Sequence, residues 1–339
     1  KSVNRLFQAN PDARVTLMTG TPVTNRIDDL FAYLKITNHR LGVSKTSFNS
    51  RYIKKVDGKK QAQNIPELRK KIANFMIRKK TEECIDLPKL NINKYYFNVT
   101  DFGANYVSAM STIADKGNKL EGVEQELKTA TGDRKKELTI DKFKLKAAVR
   151  MNIHSINRLT AESKVPGTIE LINGILREGR KVIVFSPYKA PLEMLKEKFG
   201  HTAVLINGSV NPKERQSRIR DFTTKKHCKV FLGQNRAAGV GINLVNARDT
   251  IMLGFPLTPD DIEQPIKRCH RMGQKYGVNV YFTIANGSCD EHIYNIVADK
   301  LNEINETIDH DKTDNLELLR IEDRLLKLLL DDIRKGNKR

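Results

Sequence analysis

"SKVPGTIELINGILREGRKVIVFSPY", Ser163–Tyr188, decides the fold class of this chain. Val165, Ile169, Ile172 and Leu176 recur at helical spacing and form one apolar stripe. Pro166 fits the first turn, where its missing N–H costs nothing, and Gly179 ends the helix. "KVIVF", Lys181–Phe185, then runs apolar without alternation. A strand apolar on both faces is buried on both faces, as in parallel sheets covered by helices.

Downstream the alternation repeats. A helix carrying Leu192, Leu195 and Phe199 leads to a strand at Ala203–Ile206. A helix from about Pro212 to Phe222 leads to a strand at Lys229–Leu232. A further strand spans Thr250–Leu253, and a helix over Asp260–Arg271 precedes the strand "VNVYFTIA", Val278–Ala285. Strands alternating with helices predict an α/β fold with a doubly wound parallel sheet, here of five strands. Ligands of such sheets sit at the carboxyl ends of the strands. The loops expected there are "FSPY", "NGSV", "GQNRAAGVGINL" and "GFPLTPDD".

The flanks differ. "ARVTLMTGTPVTNRIDDLFAYLKI" reads as one strand, a turn and an amphipathic helix. One such strand cannot bury both its faces, so residues upstream of Lys1 are expected to complete its sheet. The stretch from Asp101 to Arg158 reads as helical and polar. In "NLELLRIEDRLLKLLLDDIRKGNKR", Leu316, Leu319, Leu326 and Leu330 form a packing face ahead of a basic tail.

A length of 339 residues allows two or three compact units. The net charge of +20 points to a polyanionic partner, although a lysine-rich surface alone gives the same sum. From Arg51 to Lys80, eleven Lys and Arg face only Asp57 and Glu67. Two readings fit that run: a surface that tracks phosphates, or an exposed insertion. Four scattered cysteines without a C-x-x-C pair argue against a zinc site and a disulfide scaffold, and fit a reducing compartment. No apolar run approaches the length needed to span a bilayer.

The densest chemistry lies in "NRAAGVGINLVNARDTIMLGFPLTPDDIEQPIKRCHRMGQ". Gly239 and Gly241 let the backbone come close to a ligand after a strand. Asn243 and the loop amides offer hydrogen bonds to a sugar or phosphate. Gln264, Arg268 and Arg271, four and three residues apart, share one face of a helix. Two guanidinium forks with a glutamine suit a triphosphate. Taken alone, the same pattern also describes a surface helix laced by ion pairs.

In its setting this segment resembles the Swi/Snf-type ATPases of helicase superfamily two. "LMTGTPVTNRIDDLFAYL" is similar to that family's coupling motif, and "FMIRKKTEECIDLPKL" to the phrase joining its two lobes. "KVIVFSPYKAPLEML" and "INGSVNPKERQSRIRDF" resemble the first two motifs of the second RecA-like lobe. The long segment just quoted resembles its last two, and "GSCDEHIYNIVADK" the part that closes the lobe. Six such stretches stand in the right order, from Arg14 to about Lys300. "SKVPGTIELI" and the closing segment lean towards the fork-remodelling, strand-annealing branch.

There are departures. The coupling motif has Thr24 before Asn25 where Gln-Asn is usual, and Lys267 stands where an Asp is common. The loop before Gln264 usually holds a Trp; this chain has none, and Phe255 stands nearby. The family's phosphate-gripping Gly-Lys-Thr loop and its Asp-Glu-Ala-His metal motif do not occur in the sequence. The chain is therefore expected to be a fragment that opens near the end of the first lobe and is inactive alone.

The resemblance implies a RecA-like doubly wound sheet with a helical insertion and a C-terminal helical extension. The expected divisions are 1–90 for the end of the first lobe and the linker, 91–160 for a helical protrusion, 161–300 for the second lobe, and 301–339 for the extension. It implies ATP as cofactor, with Mg²⁺ held by residues outside this chain. Arg268, Arg271 and Gln264 would act on the β- and γ-phosphates, with Gly239, Gly241 and Asn243 near the nucleotide. Thr19, Gly20, Thr21 and Asn25 would couple DNA to nucleotide state, and Ser186, Gly208 and Arg236 would meet DNA phosphates. The implied partners are double-stranded or branched DNA, the absent first lobe, and RNA polymerase or other DNA-bound proteins, with no membrane. The implied location is intracellular and DNA-associated. The implied activity is ATP-driven movement on duplex DNA. The alternative is a non-catalytic DNA- or polymerase-binding module of the same fold.

Overall fold

The computed structural model describes residues 14–18, 27–56, 59–77, 79, 84–99, 102–238, 242–258, 260–309 and 321–335. The chain divides into two compact units. One comprises Lys1–Lys79, Thr258–Asp260 and Val297–Arg320. The other comprises Lys80–Leu257, Asp261–Ile296 and Ile321–Arg339.

In the first unit, α1 (Leu30–Ile36) and α2 (Lys45–Tyr52) lead into a hairpin of β1 (Ile53–Val56) and β2 (Lys59–Ala62), followed by α3 (Ile65–Ile72). The Ser44 hydroxyl caps α2 by accepting from the Ser47 amide at 3.2 Å. Leu30, Phe31, Leu34, Phe48, Tyr52, Ala62, Ile65, Leu68 and Ile72 form the core. Much of the basic run beginning at Arg51 lies on the hairpin and α3. Residues 14–18, expected as a strand, are not in one. A strand exists only as part of a ladder, and no described strand pairs with them.

The second unit is built on a parallel sheet of six strands, ordered β3-β8-β7-β4-β6-β5. In chain order it comprises β3 (Leu90–Phe97), α4 (Ala104–Glu126), α5 (Gly132–Ser163), α6 (Val165–Arg177) and β4 (Val182–Ser186). Then come α7 (Lys189–Phe199), β5 (Ala203–Ile206), α8 (Pro212–Thr224), β6 (Val230–Gln234) and the short α9 (Asn235–Ala238). It closes with β7 (Asp249–Met252), α10 (Asp260–Cys269), β8 (Val278–Ala285), the start of α11 (Cys289–Asp309), which passes into the first unit from Val297, and α12 (Ile321–Arg334).

All of β4 is buried, as its unbroken apolar run requires. Val182 and Val184 pack with Val165, Ile172, Leu192 and Leu195 of α6 and α7. Ile183 and Phe185 point the other way. There Phe222 of α8 meets Phe231 with ring centroids 5.3 Å apart, and Cys269 of α10 meets Thr250 at 3.0 Å. Helices thus cover both faces of the sheet. The sixth strand, β3, corrects the expected count of five. It pairs in register with β8 from Leu90↔Val278 to Phe97↔Ala285. Its signal was hidden because it enters from a connector and precedes a helical hairpin, outside the strand–helix alternation. Gly167 of α6 lets the Phe97 ring approach; a Cβ there would collide with that ring.

The hairpin of α4 and α5 buries Tyr106, Ile113, Leu120, Leu138, Val149 and Ile153. α12 docks on it through Leu326 and Leu330, which lie over Gly117. Those two leucines form the packing face expected from their spacing; Leu316 and Leu319 lie outside the described residues.

Candidate functional site

Three loops at the carboxyl ends of β4, β5 and β6 are joined by one side chain. Gln234 Oε1 accepts from the Gly208 amide at 3.2 Å, and its Nε2 donates to the Pro187 carbonyl at 3.2 Å. Asn207 Oδ1 accepts from the Ser209 amide and hydroxyl, closing a tight turn at the end of β5. Ser186 is fully buried, and its hydroxyl accepts from the Tyr188 amide at 3.2 Å. Its hydroxyl therefore shapes the loop from below and is not offered at the surface. Arg236 is the exposed cation of this cluster. Its side chain is 82% exposed, and its Nε lies 3.5 Å from Asp261 Oδ2. Asn235 is buried and donates to the Asp261 carbonyl at 2.6 Å, which ties α9 to the start of α10.

The arginines stand at the other end of α10. The helix stops at Cys269, not at Arg271 as expected. Arg271 therefore sits on the turn beyond it, and Gln264 and Arg268 alone share the regular helix face. The turn places Arg271 Nη1 3.4 Å from the Ile242 carbonyl. The Leu244 amide donates to the Arg268 carbonyl at 3.0 Å. These two bonds bring residues 242–244, exposed Asn243 among them, against the arginine turn. Gly239 and Gly241 lie outside the described residues, as do Thr19, Gly20, Thr21 and Asn25.

Gln274, to which the sequence assigned no role, locks this arrangement. It is 8% exposed. Its Nε2 faces the carbonyls of Val245 at 3.2 Å, Ala247 at 3.0 Å and Cys269 at 3.2 Å. Its Oε1 accepts from the amides of Lys275 and Tyr276. A primary amide supplies both the donors and the acceptor that this crowded backbone needs. Only its place at the end of "QPIKRCHRMGQ" could have drawn attention to it.

The electrostatics of the arginine turn favour an anion. Among the described residues, no carboxylate pairs with Arg268 or Arg271. Arg268 Nε is buried without a hydrogen-bond partner. Burial, and then the charge of Arg271, push the Arg268 guanidinium below its ordinary pKa. A phosphate at the guanidinium ends would supply the missing countercharge. The described residues contain no group of three His, Cys, Asp or Glu able to hold a metal ion.

Phe255 stands buried inside the lobe, stacked on Phe282 at 6.0 Å and edge-on to Tyr294. Its carbonyl accepts from Asn157 Nδ2 at 2.8 Å.

Residues 166–273 match the helicase conserved C-terminal domain. Over that segment the chain is similar to the C-terminal lobe of Swi/Snf-type, superfamily-two helicase-like ATPases. That match takes in Ser186, Gly208, Arg236, Gln264, Arg268 and Arg271. The chain is 26% identical over 298 residues to protein CHROMATIN REMODELING 4 of Arabidopsis thaliana, covering 84% of this chain and 13% of that protein. It is 25% identical to an uncharacterized ATP-dependent helicase of Mycoplasma pneumoniae, covering 90% of this chain and 29% of that protein. The lobe and its flanks thus span less than a third of the length of either relative. Among solved structures, the Sulfolobus solfataricus SWI2/SNF2 ATPase core in complex with dsDNA is 22% identical. Its TM-score is 0.45, with 86% of this chain and 61% of that one covered.

Proposed function

We propose that this lobe supplies the arginine half of an ATP site in a DNA-stimulated ATPase. That enzyme moves on double-stranded DNA and remodels DNA structures or DNA-bound proteins. The observation that carries the proposal is the Arg268–Arg271 pair. Two guanidiniums stand together without a carboxylate, one with a buried unpartnered Nε, against the loop that follows Gly241.

ATP bound with Mg²⁺ would supply the phosphoanhydride whose hydrolysis drives the cycle. Arg268 and Arg271 bind the β- and γ-phosphate oxygens and offset the charge that grows there during transfer, an effect worth about 10³–10⁵ in rate for an arginine finger. Gln264 lies on the Arg268 face and senses the terminal phosphate. Asn243, with Gly239 and Gly241, meets the nucleotide's sugar side. Gln274 keeps that loop and the arginines at a fixed distance.

Arg236 and the exposed turn at Gly208 meet DNA phosphates, and Ser186 holds the turn beside them. Such contacts suit a motor that ignores sequence. Thr19, Gly20, Thr21 and Asn25 link DNA position to nucleotide state. The location is DNA-associated; no helix among the described residues is long and apolar enough to cross a membrane.

ATP turnover of the whole protein, both lobes included, tests this. Duplex DNA should raise the rate, and Arg271→Ala should lower it at least a hundredfold. Equal rates with and without DNA, or an unaffected Arg271→Ala, would sink the proposal.

A further inference from the structure

Two residues separate Arg268 from Arg271, and each is tied to a different part of the unit. Cys269 is buried and meets Thr250 of β7 at 3.0 Å. His270 is half-buried, and its Nε2 lies 2.8 Å from the carbonyl oxygen of Pro88. A carbonyl only accepts, so Nε2 carries the hydrogen and donates. Pro88 lies 182 positions earlier in the chain. It belongs to residues 84–89, the part of the connector that enters β3 after the first stretch of the first unit ends at Lys79. Immediately beyond it the chain is fixed: the Lys89 carbonyl accepts from the Val278 amide at 2.8 Å, and the β3–β8 ladder begins at Leu90. At Pro88, therefore, the connector is held to the arginine turn through the His270 side chain.

We propose that His270 is a positioning residue that couples the arginine turn to the connector between the two units. A pull on the connector at Pro88 reaches Arg268 and Arg271 through this bond, and phosphate bound at the arginines stiffens the connector there in return. The inference rests on the nucleotide role proposed above for the two arginines. His270 takes no part in the chemistry and touches no phosphate.

The test uses the whole protein and compares His270→Gln with His270→Asn. The Gln amide reaches about as far as the imidazole Nε2 and donates there; the Asn amide stops short. Three quantities are read: kcat with saturating duplex DNA, KM for ATP, and DNA displacement per ATP hydrolysed. In His270→Asn, DNA-stimulated kcat and displacement per ATP should fall roughly three- to tenfold, the scale of one lost hydrogen bond, with KM within about twofold. His270→Gln should restore both. A wild-type His270→Asn, or a His270→Gln as impaired as His270→Asn, overturns the coupling. Arg271→Ala runs in parallel. If it abolishes turnover while His270→Asn behaves as wild type, only the coupling fails. If it leaves turnover unchanged, the nucleotide assignment itself fails.

Discussion

The Lys164 ammonium lies 2.5 Å from Asp290 Oδ2, and both side chains are fully buried. Lys164 also donates to the Thr283 carbonyl at 2.8 Å, and Asp290 accepts from the Ala285 amide at 3.1 Å. The pair therefore pins the joint between α5 and α6 to the end of β8 and the start of α11. Removing one partner strands a buried charge. Lys164→Met or Asp290→Leu should each cost about 3–5 kcal/mol, whereas the double replacement should recover much of that loss. Urea denaturation of the three variants checks this. A double variant no more stable than the singles would contradict it.

Gln274 sits among three carbonyls and two amides. Gln274→Ala should destabilise the lobe by about 2–3 kcal/mol, because buried backbone groups lose their partners. Gln274→Glu should be at least as damaging, since a carboxylate has no N–H to offer the three carbonyls. Denaturant midpoints, measured alongside KM for ATP, should move together in both variants.

Arg236 is the exposed cation of the three-loop cluster. Arg236→Ala should weaken duplex binding equally across DNA sequences. It should also reduce the slope of log K against log salt by about one. Fluorescence anisotropy on two unrelated duplexes over a range of salt concentrations measures both effects. A sequence-dependent loss would point to base contacts instead.

In the first unit, hydrogen bonds from Arg51 and Lys71 hold the Glu67 carboxyl down to about 2, against an ordinary value of 4.5. A carboxyl depressed in the folded state adds stability that is fully present above its unfolded pKa and is lost as pH falls towards the folded one. The contribution should therefore fade between about pH 4.5 and 2. Glu67→Gln should flatten that part of the stability–pH curve. Because Arg51 is exposed, salt should shrink the difference. Chemical denaturation at several pH values, with and without added salt, gives the comparison.

Much of the lobe was legible in the sequence. β4, β5, β6, β7 and β8 announce themselves as mostly apolar runs between helices, because strands covered on both faces bury nearly all their side chains. β3 escaped, since "LNINKYYF" mixes Asn and Lys with its apolar residues and lies at the sheet edge, where half its surface is exposed. The arginine pair was legible as spacing, yet its geometry was not. α10 ends two residues early, and that places Arg271 on the turn facing Ile242.

By itself, then, the sequence determined the class of fold and the spacing of the charged residues, because local periodicity and residue chemistry are properties of short stretches. Only the tertiary structure decided which of these meet. Gln234 joins loops 26 and 47 residues away, Lys164 finds Asp290 across 126, and His270 finds Pro88 across 182. A hydrogen bond depends on where two atoms lie in space, and no periodicity encodes a partner that far along the chain.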